Sequence, residues 1–315
     1  MRDQFFQAIK TLKNNIIRYP QFEFAYQEIQ NNLQLKQQTG IAQHLSCFSP
    51  SGTGKTTLKH EIEKAYPRST QNQRFLIPVL TVDTPAIPSV PNIAETMLIS
   101  LGDPASDKGS VAQKTMRILH FLKECNVQMI IFDELQHFID QGRRNAPFQV
   151  SDWLKDLVDQ ANIPTVLMGL ERSEQILKIN EQLRRRFNRQ ISLPAFDITQ
   201  EYGFQIFAGV IIKLQELLNF PIEFDLTDAK NLRRIYFATN GIIDYIVKLI
   251  LCSYQITLQD GKEAITQASL YKAFIASIWR DASDDLNPFH KSFTWQPLTK
   301  LNMPFHVATG YRNDK

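Results

Sequence analysis

Between residues 44 and 197, short apolar runs alternate with segments whose apolar residues recur every three or four positions, the rhythm of strands threaded through helices. The strands this predicts are "HLSCFS" (44–49), "FLIPVLTV" (75–82), "VQMIIFD" (127–133), "IPTVLMG" (163–169) and "RQISLP" (189–194), with helices at about 55–65, 92–101, 110–125, 150–161 and 172–187. Near-continuous apolar strands separated by helices belong to a parallel sheet covered on both faces. Residues 41–197 are therefore expected to form a three-layer α/β sandwich on a five-stranded parallel sheet.

After "LPAFD" the strand signal stops, and "YGFQIFAGVIIKLQELL", "LRRIYFATNGIIDYIVKLILCSY" and "ASLYKAFIASIW" predict a small all-helical domain over 198–280. Phe204, Phe207, Tyr236 and Phe237 are expected in its core. Residues 1–40 carry Phe5, Phe6, Ile9, Leu12 and Ile16 at helical spacing before "RYPQF" interrupts, so they read as an N-terminal helical extension. Residues 281–315, polar with scattered prolines, read as a flexible C-terminal tail whose Phe289, Phe293, Trp295 and Phe305 could anchor a partner.

Composition narrows the classes without choosing among them. With 315 residues, 43% hydrophobic and 21% charged, the chain can bury more than one core. A net charge of +3 neither demands nor excludes a polyanion, so local basic clusters must carry that question. Cys47, Cys125 and Cys252 are far apart, which argues against a zinc box or a disulfide framework. No run approaches the roughly 20 apolar residues of a membrane span, and the N-terminus lacks a signal-peptide core, so a cytoplasmic protein without a membrane partner is expected.

The chemistry concentrates in "CFSPSGTGKTTLKHEI", residues 47–62, which nearly spells the phosphate-binding pattern G-x-x-x-x-G-K-[ST], with Ser49 in place of the first glycine. Between a buried strand and a helix, Ser49, Pro50, Ser51, Gly52, Thr53, Gly54, Lys55, Thr56 and Thr57 would cradle phosphates. Gly52 and Gly54 permit the curl, Lys55 reaches the β- and γ-phosphates, and the Thr56 hydroxyl serves Mg²⁺. The bland alternative is a Gly-Thr-Gly turn followed by a surface lysine. "VQMIIFDELQHF" ends a strand in two acids: Asp133 would hold Mg²⁺, mainly through water, and Glu134 would polarise the attacking water. Otherwise they are solvated acids capping the next helix.

"NEQLRRRFNRQ" clusters Arg184, Arg185 and Arg186, suited to bidentate phosphate recognition from a neighbouring subunit or simply to a solvated helix face. "IPTVLMGLERSE" supplies the strand that usually lies between the phosphate loop and the acidic strand. Its end, Met168 to Glu171, carries no Asn or Thr to sense a γ-phosphate, which leaves Glu171 as a weak candidate. Arg143 and Arg144 in "QGRRNAPF", with Lys108 and Lys114, could line a DNA backbone, although loop cations are commonly just solvated. His137 is expected to be a packed helix residue.

Taken in order, "SPSGTGKTTL", "IIFDELQHFID", "IPTVLMGLERSEQIL", "LRRRF" and "TNGIIDYIVKLI" resemble the TnsC/TniB group of AAA+ transposition regulators, related in role to MuB, over about residues 40 to 280. The resemblance implies a P-loop NTPase (AAA+) sandwich followed by a helical lid, and an ATPase using ATP and Mg²⁺. It also implies a homo-oligomeric ring or helical filament of roughly six or seven subunits per turn around double-stranded DNA. A transposase and a target-selection adaptor of the TniQ kind are the further implied partners. Glu134 would drive the hydrolysis that loosens the assembly, with Arg186, then Arg185, as the arginine finger. Two positions depart from the family pattern: Ser49, and the lid segment, where Asp244 and Tyr245 stand in place of a basic residue. The runner-up is a replication-initiator or helicase-loader ATPase, although residues 281–315 are too short for a winged-helix domain. The other alternative is a nucleotide-gated signalling switch that binds a protein and no DNA.

Overall fold

The computed structural model describes residues 2–306, apart from 72–73, 142–144, 224 and 227. Its contacts divide the chain into two compact units, one of residues 21–194 and one of residues 1–20 with 195–315.

The first unit is built on a parallel sheet of β1 (His44–Phe48), β4 (Val79–Asp83), β5 (Met129–Asp133), β6 (Thr165–Gly169) and β7 (Arg189–Ile191), in the spatial order β4, β5, β6, β1, β7. Every residue of β1, β5 and β6 is buried, which requires cover on both faces and explains why these strands read as continuous apolar runs. The cover includes α2 (Pro20–Thr39), α3 (Lys55–Ala65), α4 (Val90–Leu101), α5 (Val111–Glu124) and α7 (Ala146–Ala161), the last preceded by the one-turn α6 (His137–Asp140). Val82, Ile130 and Phe132 of the sheet share one core with Ile93 and Met97 of α4, Ile118 of α5 and Leu154 of α7. Caps fix where helices begin: Ser89 accepts from the Asn92 amide before α4, and Ser110 and Gln113 form a reciprocal capping box before α5.

The sequence predicts one strand over 75–82, and the structure divides it. Pro78 cannot donate to a ladder, so Arg74–Leu76 (β3) pairs instead with Ser69–Gln71 (β2) as an antiparallel hairpin, and β4 starts after the proline. The helix predicted at 172–187 is also broken, into a 3-10 turn at Glu171–Ser173, α8 (Glu174–Ile179) and α9 (Glu181–Arg186). Asn180, extended and accepting from the Leu183 amide, starts the second helix anew.

The second unit contains α1 (Arg2–Asn14), α10 (Glu201–Leu218), α11 (Ala229–Thr239), α12 (Ile243–Gln259) and α13 (Gln267–Ser277). The stretch 1–40 thus contributes to both units: Pro20 opens α2 with its fixed φ, while α1 packs on α10 and α12, with the tilted rings of Phe5 and Tyr254 6.5 Å apart. Phe207 is fully buried, between Phe196 and Tyr236. The segment after α13 departs from the expectation of exposed aromatics: Phe289, Phe293, Leu298 and Phe305 are buried. Buried Asn287 ties the segment to α13 through the Tyr271 carbonyl, and the Arg234 guanidinium donates to the Pro288 and His290 carbonyls while lying 4.9 Å from the Trp295 ring. Prolines and polar residues hide this packing in the sequence, because the apolar residues follow no helix or strand period. Among the described residues no single helix is long and apolar enough to cross a membrane.

Candidate functional site

The carboxyl ends of β1, β5 and β6 lie side by side in the sheet, and the turns that leave them carry the chemistry. The β1 turn runs from Ser49 into α3. Gly52 and Gly54 take φ of 74° and 100°, values that would strain any residue with a side chain. No side chain caps α3, so the amides of its first turn open outward with the partial positive charge of a helix N-terminus. Thr56 is exposed at this end, Thr57 is half-buried, and the Thr53 hydroxyl braces the loop by donating to the Pro50 carbonyl at 2.9 Å.

Lys55 is buried, and its ammonium donates to the Ser49 and Pro50 carbonyls at 2.8 and 2.6 Å, closing the loop on itself. Burial holds its pKa below the ordinary lysine value, against the pull of Cys47, Asp133, Glu134 and Glu171. A desolvated cation of this kind gains most from a dense anion delivered to the open loop. Cys47 beneath it is inert, its thiol pushed up to about 12 by burial.

Ser49 has a structural reason. Its hydroxyl accepts from the Leu193 amide at 2.8 Å in a fully buried position, and its own amide donates to the Gly169 carbonyl at 3.2 Å. Its φ is not positive, so glycine is not required there.

At the end of β5, Asp133 is almost completely buried. One carboxylate oxygen accepts from the Glu134 amide at 2.8 Å, and the other lies 3.0 Å from the ammonium of Lys59, which also bonds Asp83 at 2.6 Å. Burial alone pulls the Lys59 pKa down, but Asp83 and Asp133 together outweigh it and hold it above its usual value. Glu134 is half-buried in the left-handed region, φ 59°, a strained conformation for glutamate. Gln136 donates to its carboxylate, and His137, bonded through Nδ1 to the Thr84 carbonyl at 3.0 Å, stands 3.9 Å from the same oxygen. Lys59, Gln136 and Thr84 were not read from the sequence; the only signal was that Lys59 lies one helical turn after Lys55, on the same face.

The described residues contain no cluster of three or more His, Cys, Asp or Glu able to cage a metal. Mg²⁺ in a phosphate site needs no such cage, because the ion keeps its waters and takes few protein ligands. The hard oxygen groups at these strand ends are exposed Thr56 and the buried carboxylate of Asp133, whose two oxygens are held by the Glu134 amide and Lys59.

The arginine box lies elsewhere. Arg189 of β7 is in register with Leu45, at the start of β1, whereas the phosphate loop follows the other end of that strand about 13 Å away. Arg186 is half-buried and held at two points by Asp159, and Arg185 is exposed and paired, among the described residues, with Glu181. Beside Arg186, His44 is buried, its Nδ1 without a hydrogen-bond partner among the described residues; burial first, and then Arg186, pull its pKa down to about 4 against the opposing Asp159.

The expected DNA-facing residues fare unevenly. Lys108 is exposed, and Arg143 and Arg144 lie outside the described residues. Lys114 is buried with its ammonium 2.7 Å from Glu95, which corrects the expectation that it faces a polyanion: it is already neutralised and screened from outside. In the second unit, Asp244 pairs with Lys248 at 2.6 Å and Tyr245 meets Phe305 edge to face.

Comparison with known proteins starts from the family: the model of the bacterial TniB protein matches residues 6–197, more than half of the chain. The chain belongs to the TniB family. Comparison with curated proteins gave no match. Among solved structures, Cdc6p of Pyrobaculum aerophilum is similar with TM-score 0.60 and 14% identity, covering 86% of this chain and 70% of that one. The ORC2 protein of Aeropyrum pernix, solved as ADPNP and ADP complexes, gives 0.58 and 12%, covering 82% and 68%. The Aeropyrum pernix ORC1 protein, solved in complex with DNA, gives 0.57 and 14%, covering 85% and 67%. At such identities the likeness is one of fold. This TniB chain has the P-loop AAA+ architecture, a parallel five-stranded sheet with flanking helices and a following helical region.

Proposed function

We propose that this TniB protein is an ATP-dependent regulator of DNA transposition, which assembles on target double-stranded DNA in the ATP state and recruits the transposase. ATP hydrolysis to ADP and phosphate then releases the assembly. The observation that carries the reading is Lys55, a desolvated ammonium turned onto its own loop beneath open helix amides, with Asp133 and Glu134 at the end of the next strand but one. On binding, the β- and γ-phosphates would replace the Ser49 and Pro50 carbonyls as partners of Lys55, and the amides from Gly52 to Thr57 would cradle them. Thr56 and Asp133 would hold Mg²⁺, which when bound neutralises phosphate charge. Glu134 would accept a hydrogen bond from the attacking water and orient it in line with the γ-phosphate.

The arginine box supports action across subunits. Arg186, beside His44, lies at the end of β1 opposite its own phosphate loop, so a finger there would serve a second copy. Redirecting Arg185 costs little, since its exposed pair with Glu181 is worth a few tenths of a kcal/mol. Arg186 must first leave a two-point bond with Asp159. A repeating contact of this kind makes rings or filaments. Support for DNA as the substrate of assembly comes from the family and from the fold shared with an ORC1 protein solved on DNA. A TniQ-like adaptor would then select the site.

The test is electron microscopy of the purified protein with duplex DNA, with and without a non-hydrolysable ATP analogue. Nucleotide-dependent rings or filaments on the duplex are expected. Nucleotide binding without any DNA association at low salt would overturn the reading and leave the signalling-switch alternative standing.

A further inference from the structure

The end of β6 offers no polar side chain to report on a γ-phosphate: Met168, Gly169 and Leu170 stand there. What reaches that spot instead is Gln136. It is 5% exposed, its Oε1 accepts from the Leu170 amide at 3.1 Å, and its Nε2 donates to Glu134 Oε2. The Leu170 N–H can only donate, so the carboxamide oxygen must face it and the NH₂ must face Glu134. The direction of the bridge is therefore fixed by chemistry.

Two neighbours show that room is reserved for this bridge. Gly169 has no positive φ, so glycine is not demanded by the backbone. A Cβ there would come within 2.4 Å of Ser173 Oγ and 3.1 Å of Gln136 Oε1, so glycine is demanded by space. Glu134, for its part, accepts left-handed strain that aims its carboxylate at this corner. Gln136 and His137 both face Oε2, and Oε1 has no partner among the described residues.

Building on the ATPase reading above, we infer that Gln136 is the positioning residue of this site, tying one oxygen of Glu134 so that the other is presented to the attacking water. Because its far end hangs on the Leu170 amide, the bridge also couples Glu134 to the end of β6, where a sensing side chain is missing. A misplaced base loses turnover steeply, on the order of a hundredfold for an ångström, while nucleotide binding rests on Lys55 and the loop amides, which Gln136 does not touch.

The experiment is a double-mutant cycle on the full chain with duplex DNA and Mg·ATP, reading phosphate release and the affinity for a fluorescent ATP analogue. Gln136→Leu, which removes both bonds, and Gln136→Glu, which can keep the Leu170 bond but cannot donate to Glu134, are each expected to lower kcat about ten- to a hundredfold with KM within twofold. In a Glu134→Gln background, Gln136→Leu is expected to change the residual turnover less than twofold, because its effect passes through Glu134. Turnover near wild type in both single variants, equal losses in the two backgrounds, or loss of analogue binding together with turnover would each overturn the inference. If instead Glu134→Gln alone left turnover intact, the ATPase role of Glu134 itself would fall, an outcome separable from the failure of Gln136.

Discussion

Ser49→Ala removes one oxygen from a fully buried position and leaves the Leu193 amide with no acceptor. A buried N–H stripped of its partner costs about 1–3 kcal/mol. Ser49→Gly, which restores the usual phosphate-loop residue, adds roughly 0.5–1 kcal/mol of backbone freedom to that loss. The glycine variant is thus expected to be the less stable of the two, although it matches the family pattern better. Nucleotide binding should survive in both, since the curl depends on Gly52 and Gly54 and the charge on Lys55. Urea denaturation of wild type and both variants, with fluorescent ATP-analogue binding on the folded proteins, measures the two effects separately. Wild-type stability in Ser49→Ala would mean that the Leu193 amide does not depend on the Ser49 hydroxyl, and binding lost in a folded variant would mean that Ser49 itself serves the nucleotide.

Three further outcomes follow from the same structure. His44 is held neutral when folded, with a pKa of about 4 against an ordinary 6.5, so its contribution to stability is fully present above pH 6.5 and lost as pH falls through 4. Two and a half pH units correspond to about 3 kcal/mol, and denaturation of His44→Leu across this window should show that much less acid sensitivity than wild type. Lys59→Met strips buried Asp133 of its counter-ion and should lower the unfolding free energy by about 3 kcal/mol in urea titrations; an unchanged midpoint would mean the pair is idle. Deleting residues 285–315 removes buried Phe289, Phe293, Leu298 and Phe305, so the thermal midpoint should fall by more than about 5 °C, where a tail of free anchors would leave it unchanged.

The strands that bear the site were legible because β1, β5 and β6 are buried on both faces, so their sequence is apolar throughout. The phosphate loop was legible because Gly52 and Gly54 mark backbone that other residues resist. What could not be read is pairing between distant positions. Lys59 looks like any helix lysine until Asp83 and Asp133 close on it, and Gln136 gains its meaning from an amide just past the end of β6. Lys114 misled for the same reason in reverse: Glu95 takes a charge that sequence alone assigns to solvent. The aromatics after α13 were misplaced because irregular backbone packs them without any period to announce it.

In the proposed cycle, the nucleotide held by this loop switches association with DNA. Duplex binding, measured by fluorescence anisotropy at fixed salt with a non-hydrolysable ATP analogue and then with ADP, tests it in wild type and in Lys55→Ala. Wild type is expected to bind the duplex at least about tenfold more tightly with the analogue, a difference of roughly 1.4 kcal/mol, and Lys55→Ala is expected to show no such difference. Equal duplex affinity in the two nucleotide states of the wild-type protein would contradict it.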